Sequence, residues 1–198
     1  MTSHADETWD RRASLARAAL WLLLLLLAAP AAPAQDDAQG GEPRPRALPN
    51  FHQVNEKLYR GGQPREGGLR ELAALGVNTI INLRDDDARA DAEGSEARAA
   101  GLRYFNVPFG RLGRPTDEQI ERALSLIRAP ENGVVFVHCA KGQDRTGTLV
   151  AVYRLTYDQW TADRATDEAE HYGMKFWQRS MKGYISDYYR RRAQAQTN

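Results

Sequence analysis

Cysteine is nearly absent from this 198-residue chain: Cys139 is the only one. A single cysteine excludes an internal disulfide framework and a cysteine-clustered zinc site. Histidine is scarce as well. His4, His52, His138 and His171 are far apart and show no HExxH-like spacing, so the sequence calls for no metal or cofactor. Charge of one sign is also lacking, with 27 Lys and Arg against 26 Asp and Glu. That balance gives no reason to expect a nucleic-acid partner, and any preference for anions has to come from a local site.

A long hydrophobic run is missing too. The longest apolar stretch, "AALWLLLLLLAA" at 18–29, is short for a bilayer-spanning helix, which needs about 20 residues. Its setting is informative. Arg11, Arg12 and Arg17 precede it, and the small-x-small site Ala32-Pro33-Ala34 follows. That order is the pattern of a secretory signal over residues 1–34, with Gln35 as the mature N-terminus. The expectation is an exported, periplasmic or secreted protein whose mature form keeps no membrane span, an uncleaved N-terminal anchor being the alternative. Export sharpens the question of the lone cysteine. Oxidising compartments tend to pair exposed thiols, so an unpaired one is either buried or kept for its chemistry.

Residues 35–50, "QDDAQGGEPRPRALPN", are polar and rich in Gly and Pro and read as a flexible linker. From there to residue 192, strand-like and helical patterns alternate, and 193–198 read as a disordered tail. "KLYRGG" is a first strand. Pro64 then opens a helix that Gly76 stops. "VNTIINLR" is a second strand, followed by a polar loop leading into a helix, and "LRYFNVPF" is a third. Thr116 and Gln119 fit a capping box before a helix with Ile120, Leu124 and Ile127 on one face; Pro130 and Gly133 close it. "VVFVH" has four apolar residues in a row, so it belongs at the centre of a sheet covered on both faces. "RTGTLVAVYRLTYDQ" follows as a helix. The stretch from Thr161 is helical in pattern, and its aromatic residues Tyr172, Phe176, Trp177, Tyr184, Tyr188 and Tyr189 are assigned to core packing. The fold class expected is α/β, with a mainly parallel central sheet of about four to five strands, flanking helices and a helical C-terminal tail.

Cys139 falls between the "VVFVH" strand and the next helix, where open α/β sheets bind their ligands. Backbone N–H groups in such a turn converge on one point, and a helix N-terminus adds positive potential, which together make an anion site. The same field favours a thiolate over a thiol. Arg145 offers a planar fork of donors suited to two phosphate oxygens, and Gly142 gives the backbone freedom that a tight cradle needs. An inert buried thiol is the bland alternative, and the surrounding residues argue against it.

"HCAKGQDRTG" resembles the signature loop of the cysteine-dependent protein tyrosine and dual-specificity phosphatases, H-C-x-x-G-x-x-R-[ST]-G, at every defined position. "LYRGGQP" followed by "GVNTIINLR" is similar to the opening of the compact atypical dual-specificity phosphatases of bacteria, fungi and plants. The likeness covers roughly 51–190, making 51–192 a phosphatase domain. It implies that Cys139 attacks phosphorus while Arg145 and the loop residues Ala140, Lys141, Gly142, Gln143 and Thr146 hold the substrate. It also implies that His138 supports the loop and that Thr146 hydrogen-bonds the sulfur. The substrates expected are phosphate esters, either phosphotyrosine, phosphoserine or phosphothreonine protein, or inositol phosphates and phosphoinositides. A non-catalytic phosphate-binding module is the rival reading.

One part of the family pattern is missing. Its members supply a proton to the leaving group from an Asp on a separate loop, and here that loop, "PFGRLGRP" at 108–115, holds no carboxylate. Asp144, beside Arg145, is the first candidate. It resembles the acid assigned in myotubularin-like and Sac-type loops that carry Asp before the Arg. Asp117 is the alternative, and Asp85, Asp86 and Asp87 come third. Lys141 puts a charge inside the loop, and Arg84, Arg111 and Arg114 are candidates for a basic rim suited to several phosphates.

Overall fold

The computed structural model describes residues 47–110 and 113–197. The expected signal, the linker up to residue 46, and Arg111 lie outside the described residues. Five strands form one sheet in the order β1-β2-β5-β3-β4. They are β1 (His52–Asn55), β2 (Leu58–Gly61), β3 (Thr79–Asn82), β4 (Arg103–Asn106) and β5 (Val135–His138). β2, β5, β3 and β4 run parallel, and β1 pairs antiparallel with β2 at one edge. The α-helices are α1 (Gly68–Ala74), α2 (Ala88–Ala99), α3 (Asp117–Arg128), α4 (Asp144–Tyr157), α5 (Ala162–His171) and α6 (Arg179–Thr197).

The apolar run of β5 does sit at the sheet centre, and all four of its residues are buried. Alternation along a strand sends neighbours to opposite faces. Val135 and Val137 join a core with Ile120, Leu124 and Ile127 of α3, Leu149 of α4 and Tyr184 of α6. Phe136 joins the other core, with Leu69 and Leu72 of α1 and Ala97 of α2. His138 therefore points to the α2 side, and Cys139 falls in the first core. α4 is buried nearly all round, from Arg145 to Leu155, because the sheet covers one side and α5 and α6 the other.

The capping box forms as expected: Gln119 N donates to Thr116 Oγ1 at 3.2 Å, and Thr116 N donates to Gln119 Oε1 at 2.8 Å. Such a cap is worth about 1 kcal/mol. Other expectations change. β1 escaped the sequence reading because its four residues include one apolar side chain, as an edge strand tolerates. Pro64 does not open α1. The chain from Gln63 to Arg65 is drawn into loop contacts, with Arg65 N donating to Ala47 O at 2.8 Å, and the helix starts at Gly68.

Residues 47–50 are docked rather than linker-like. Leu48 is buried, and Pro49 O accepts from Gly62 N at 2.7 Å. The aromatic residues from 172 onward divide. Tyr184 is in the core, but Phe176 and Trp177 are 79% and 59% exposed and Tyr189 is exposed as well. Phe176 and Trp177 fall in the break between α5 and α6, where the helical register that would have buried them is not kept, whereas Tyr189 is within α6. α6 runs through Thr197, past the expected end at 192, on good helix formers such as Ala and Gln. No helix among the described residues is long and apolar enough to cross a membrane.

Candidate active site

Parallel pairing sets the ends of three strands side by side. Gly61 of β2 and Asn82 of β3 both align with His138 of β5. The chain leaves β5 at Cys139, turns through 140–143 and enters α4 at Asp144, whose N-terminus no side chain caps. Four consecutive carbonyls in this turn are bonded from behind. His138 Nδ1 lies 3.3 Å from Cys139 O, and Gln63 N donates to Ala140 O at 3.3 Å. Asn50 Nδ2 reaches Lys141 O at 3.3 Å and Gly142 O at 3.0 Å, and Arg60 Nη2 donates to Gly142 O at 2.9 Å.

In a planar trans peptide the N–H points opposite to the C=O. Holding these carbonyls back therefore turns the N–H groups of Ala140, Lys141, Gly142 and Gln143 the other way. They meet the uncapped N-terminus of α4, and such a concavity of N–H groups binds anions. Gly142 is required here on two counts. Its φ is +69°, and a Cβ would stand 2.4 Å from Gly61 C and 2.6 Å from Gly62 N, both backbone atoms.

A pocket of about 410 Å³ opens over the turn. Cys139, Ala140, Lys141, Asp144 and Arg145 line it from the turn and α4, Arg84, Asp85, Asp87 and Arg89 from the chain after β3, and Gln178 from before α6. Cys139 is 3% exposed. Arg145 is buried, and its Nη1 is steered by Leu83 O at 3.3 Å and Phe109 O at 3.4 Å, with Asp85 Oδ1 at 3.8 Å. Thr146 is buried and its hydroxyl has no hydrogen-bond partner, so the bond to sulfur expected from the resemblance is not formed.

The candidate acids separate clearly. Asp144 lines the pocket, with Oδ1 accepting from Lys175 N at 3.0 Å. Asp117 does not line it. Its Oδ1 accepts from Tyr184 Oη at 2.6 Å and Arg191 Nη2 at 2.8 Å, which ties α3 to α6. Burial, then that carboxylate, pushes the Tyr184 phenol well above its usual range. Asp85 stands at the pocket edge, while Asp87 is spent as the N-cap of α2, accepting from Arg89 N and Ala90 N. Asp86 lies elsewhere, in a smaller cleft with Asp91 and Arg98. Of the expected basic rim, Arg84 and Lys141 are in place. Arg114 is not: Asp187 holds it at 2.7 Å.

Sequence reasoning missed Glu93, Asn50 and Arg60. Glu93 of α2 is buried, with Oε1 3.1 Å from His138 Nε2 and 2.6 Å from Gln63 Nε2, and with Oε2 accepting from Asn82 Nδ2 at 2.8 Å. Burial pushes its carboxyl up, but His138, Gln63 and Tyr104 outweigh that and hold it below 4.5. A carboxyl lowered by folding stabilises the fold above its unfolded value, and that stability is lost as the pH falls through the folded value. Glu93→Gln is thus expected to cost about 1–3 kcal/mol at neutral pH. It should also flatten the loss of stability below pH about 4.5, both read from thermal melts against pH.

A family model described as a DSP-PTPase phosphatase fused to NAD+ kinase matches residues 43–187. The chain is 30% identical over 125 residues to the dual specificity protein phosphatase TpbA of Pseudomonas aeruginosa, covering 63% of this chain and 55% of that relative. It is 29% identical over 142 residues to inositol diphosphatase DSP4 of Arabidopsis thaliana, covering 70% and 68%. The chain thus spans about half the length of TpbA. Among solved structures, the core catalytic domain of the PP-IP phosphatase SIW14 from S. cerevisiae aligns with a TM-score of 0.63 at 20% identity, over 75% of this chain and 93% of that one. The crystal structure of P. aeruginosa TpbA gives 0.60 at 24% identity, over 72% and 90%. These two share the fold. The family match runs from before β1 into α6 and takes in the whole turn from Cys139 to Arg145, and the chain belongs to this family of dual-specificity-type tyrosine phosphatases, within the cysteine-dependent phosphatase superfamily.

Proposed function

We propose that the chain is a phosphoric monoester hydrolase working through a cysteinyl-phosphate. The observation that carries this reading is the set of four carbonyls bonded by residues outside the pocket lining, which turns the four N–H groups of the same peptides toward the pocket side of the turn, where Cys139 and Arg145 stand. In the first step the Cys139 thiolate attacks phosphorus, the ester P–O bond breaks, and the leaving oxygen takes a proton from Asp144. In the second, water attacks the phosphorus, the S–P bond breaks, and Asp144 receives the proton released by the water. The loop N–H groups, the α4 N-terminus and the Arg145 guanidinium stabilise the charge on the other three oxygens throughout.

The substrate is a phosphoprotein or an inositol phosphate or phosphoinositide. The two relatives named above, one a protein phosphatase and one an inositol diphosphatase, support both classes. Arg84, Arg89 and Lys141 around one pocket favour a substrate carrying more than one phosphate. We further propose export directed by residues 1–34, which mass spectrometry of the mature protein checks by finding Gln35 at its N-terminus.

The test is phosphate release from a panel of phosphotyrosine peptide, inositol polyphosphates and phosphoinositides, with acid-quenched enzyme searched for a phosphoryl group on Cys139. Beside the panel, with an activated aryl phosphate added for comparison, Asp144→Asn should slow an alkyl phosphate by about 10²–10⁴-fold and the activated aryl phosphate far less. Asp117→Asn should leave that ratio unchanged. Binding of the panel without turnover or a trapped phosphocysteine would instead make the chain a phosphate-binding module.

A further inference from the structure

Arg60, inside β2, is 1% exposed, so its charge is deep in the protein. Its guanidinium makes the one bond to Gly142 O, while Nε and Nη1 are buried without a hydrogen-bond partner. The Tyr172 ring covers it at 4.5 Å. None of the ion pairs among the described residues includes Arg60. Glu168 favours its charge from a greater distance, but that carboxylate is bound by Arg154 at 2.8 Å. A buried cation with no carboxylate against it is costly unless another negative group compensates it. The turn it touches carries Cys139, the group that the proposed mechanism makes negative.

We infer that Arg60 is a positioning residue with an electrostatic task as well: it holds the Gly142 carbonyl back so that the Gln143 N–H meets the phosphate, and its charge behind the turn favours the Cys139 thiolate. Burial lowers the Arg60 pKa to about 10, with Glu168, Tyr172 and Cys139 opposing, which leaves it charged at neutral pH. The inference rests on Cys139 being the nucleophile. The other charged groups facing Cys139 are Lys141, Asp144 and Arg145 on its own segment, and Arg84, Asp85, Asp87 and Arg89 across the pocket. His138 stands behind, paired with Glu93. Substituting Arg60 leaves all of these in place.

Because the chain has one cysteine, iodoacetamide reads Cys139 alone. The experiment measures its alkylation rate against pH, and turnover separately, in the full chain and four variants. Arg60→Gln keeps a donor for Gly142 O without the charge. Arg60→Met removes both and fills the space with an apolar chain, so it is expected to fold even if the glutamine variant does not. In both, the pH of half-maximal alkylation should rise by about one unit, a roughly tenfold slower reaction at acidic pH. Arg60→Lys should keep the parent midpoint. Asn50→Ala loses carbonyl bonds but no charge, so turnover should fall while the midpoint moves less than in either neutral variant of Arg60. An unmoved midpoint in either neutral variant of Arg60 would overturn the inference and leave Arg60 a packing strut. Alkylation needs no substrate, so inactivity of every form on phosphate esters would count against the proposed hydrolysis without touching this result.

Discussion

Cys139→Ser is expected to abolish phosphate release, by on the order of 10⁴-fold or more, the scale on which loss of a nucleophile acts. Serine keeps the shape of the side chain with a slightly smaller atom, so the 3% exposed site loses little packing. What changes is acidity. A hydroxyl is a far weaker acid than a thiol, and the field of the N–H cradle and α4 cannot make it an alkoxide at neutral pH. The anion site itself is backbone and Arg145, and survives. Calorimetric titration of the variant with a phosphate ester should therefore show binding close to the parent's, while release of phosphate stays at background. Turnover comparable to the parent's would place the nucleophile elsewhere and remove the proposed mechanism.

Arg145→Lys is expected to lower kcat/KM by about 10²–10³-fold, as the loss of a preorganised donor from an anion site does. The charge is retained, so the loss measures geometry. The guanidinium is planar with five donors, and its Nη1 is spent on Leu83 O and Phe109 O, which fixes the plane and leaves the other donors for the pocket. A lysine ammonium that satisfies those two carbonyls has turned away from the phosphate, and one that reaches the phosphate gives up the bond to Phe109 O, while Leu83 O keeps only Phe109 N at 3.2 Å. Steady-state kinetics on the best panel substrate checks this, and a loss of only a few-fold would mean that the guanidinium does not grip the substrate.

The turn was legible in the sequence because its chemistry is contiguous. Cys139, Gly142, Asp144 and Arg145 fall within seven residues, and the apolar run before them marks a central strand whatever its partners are. The supports were not legible because their meaning is created by pairing. Asn50 and Arg60 stand 92 and 82 residues from Gly142, and only the register that sets Gly61 beside His138 brings them behind the turn. Arg60 carried a faint signal, a charge within the strand-like "KLYRGG". Glu93 carried none, since an acid in the polar, amphipathically weak α2 reads as solvated surface until His138 is seen against it. The exposed Phe176 and Trp177 show the limit of composition: aromatic residues are usually buried, but a break between helices takes them out of register with the core.

The solitude of Cys139 also sets the durability of the protein toward oxidants. A thiolate oxidised to the sulfenic acid is kept from further oxidation when a thiol closes a disulfide with it or a backbone nitrogen closes a sulfenamide. This chain holds no second thiol. Rescue as a disulfide then requires a thiol from outside the chain to reach a nearly buried sulfur through the pocket, in competition with further, irreversible oxidation. On the proposed mechanism, a phosphate ester held over Cys139 would block oxidant and rescuing thiol alike, and so would shield the sulfur it is to react with.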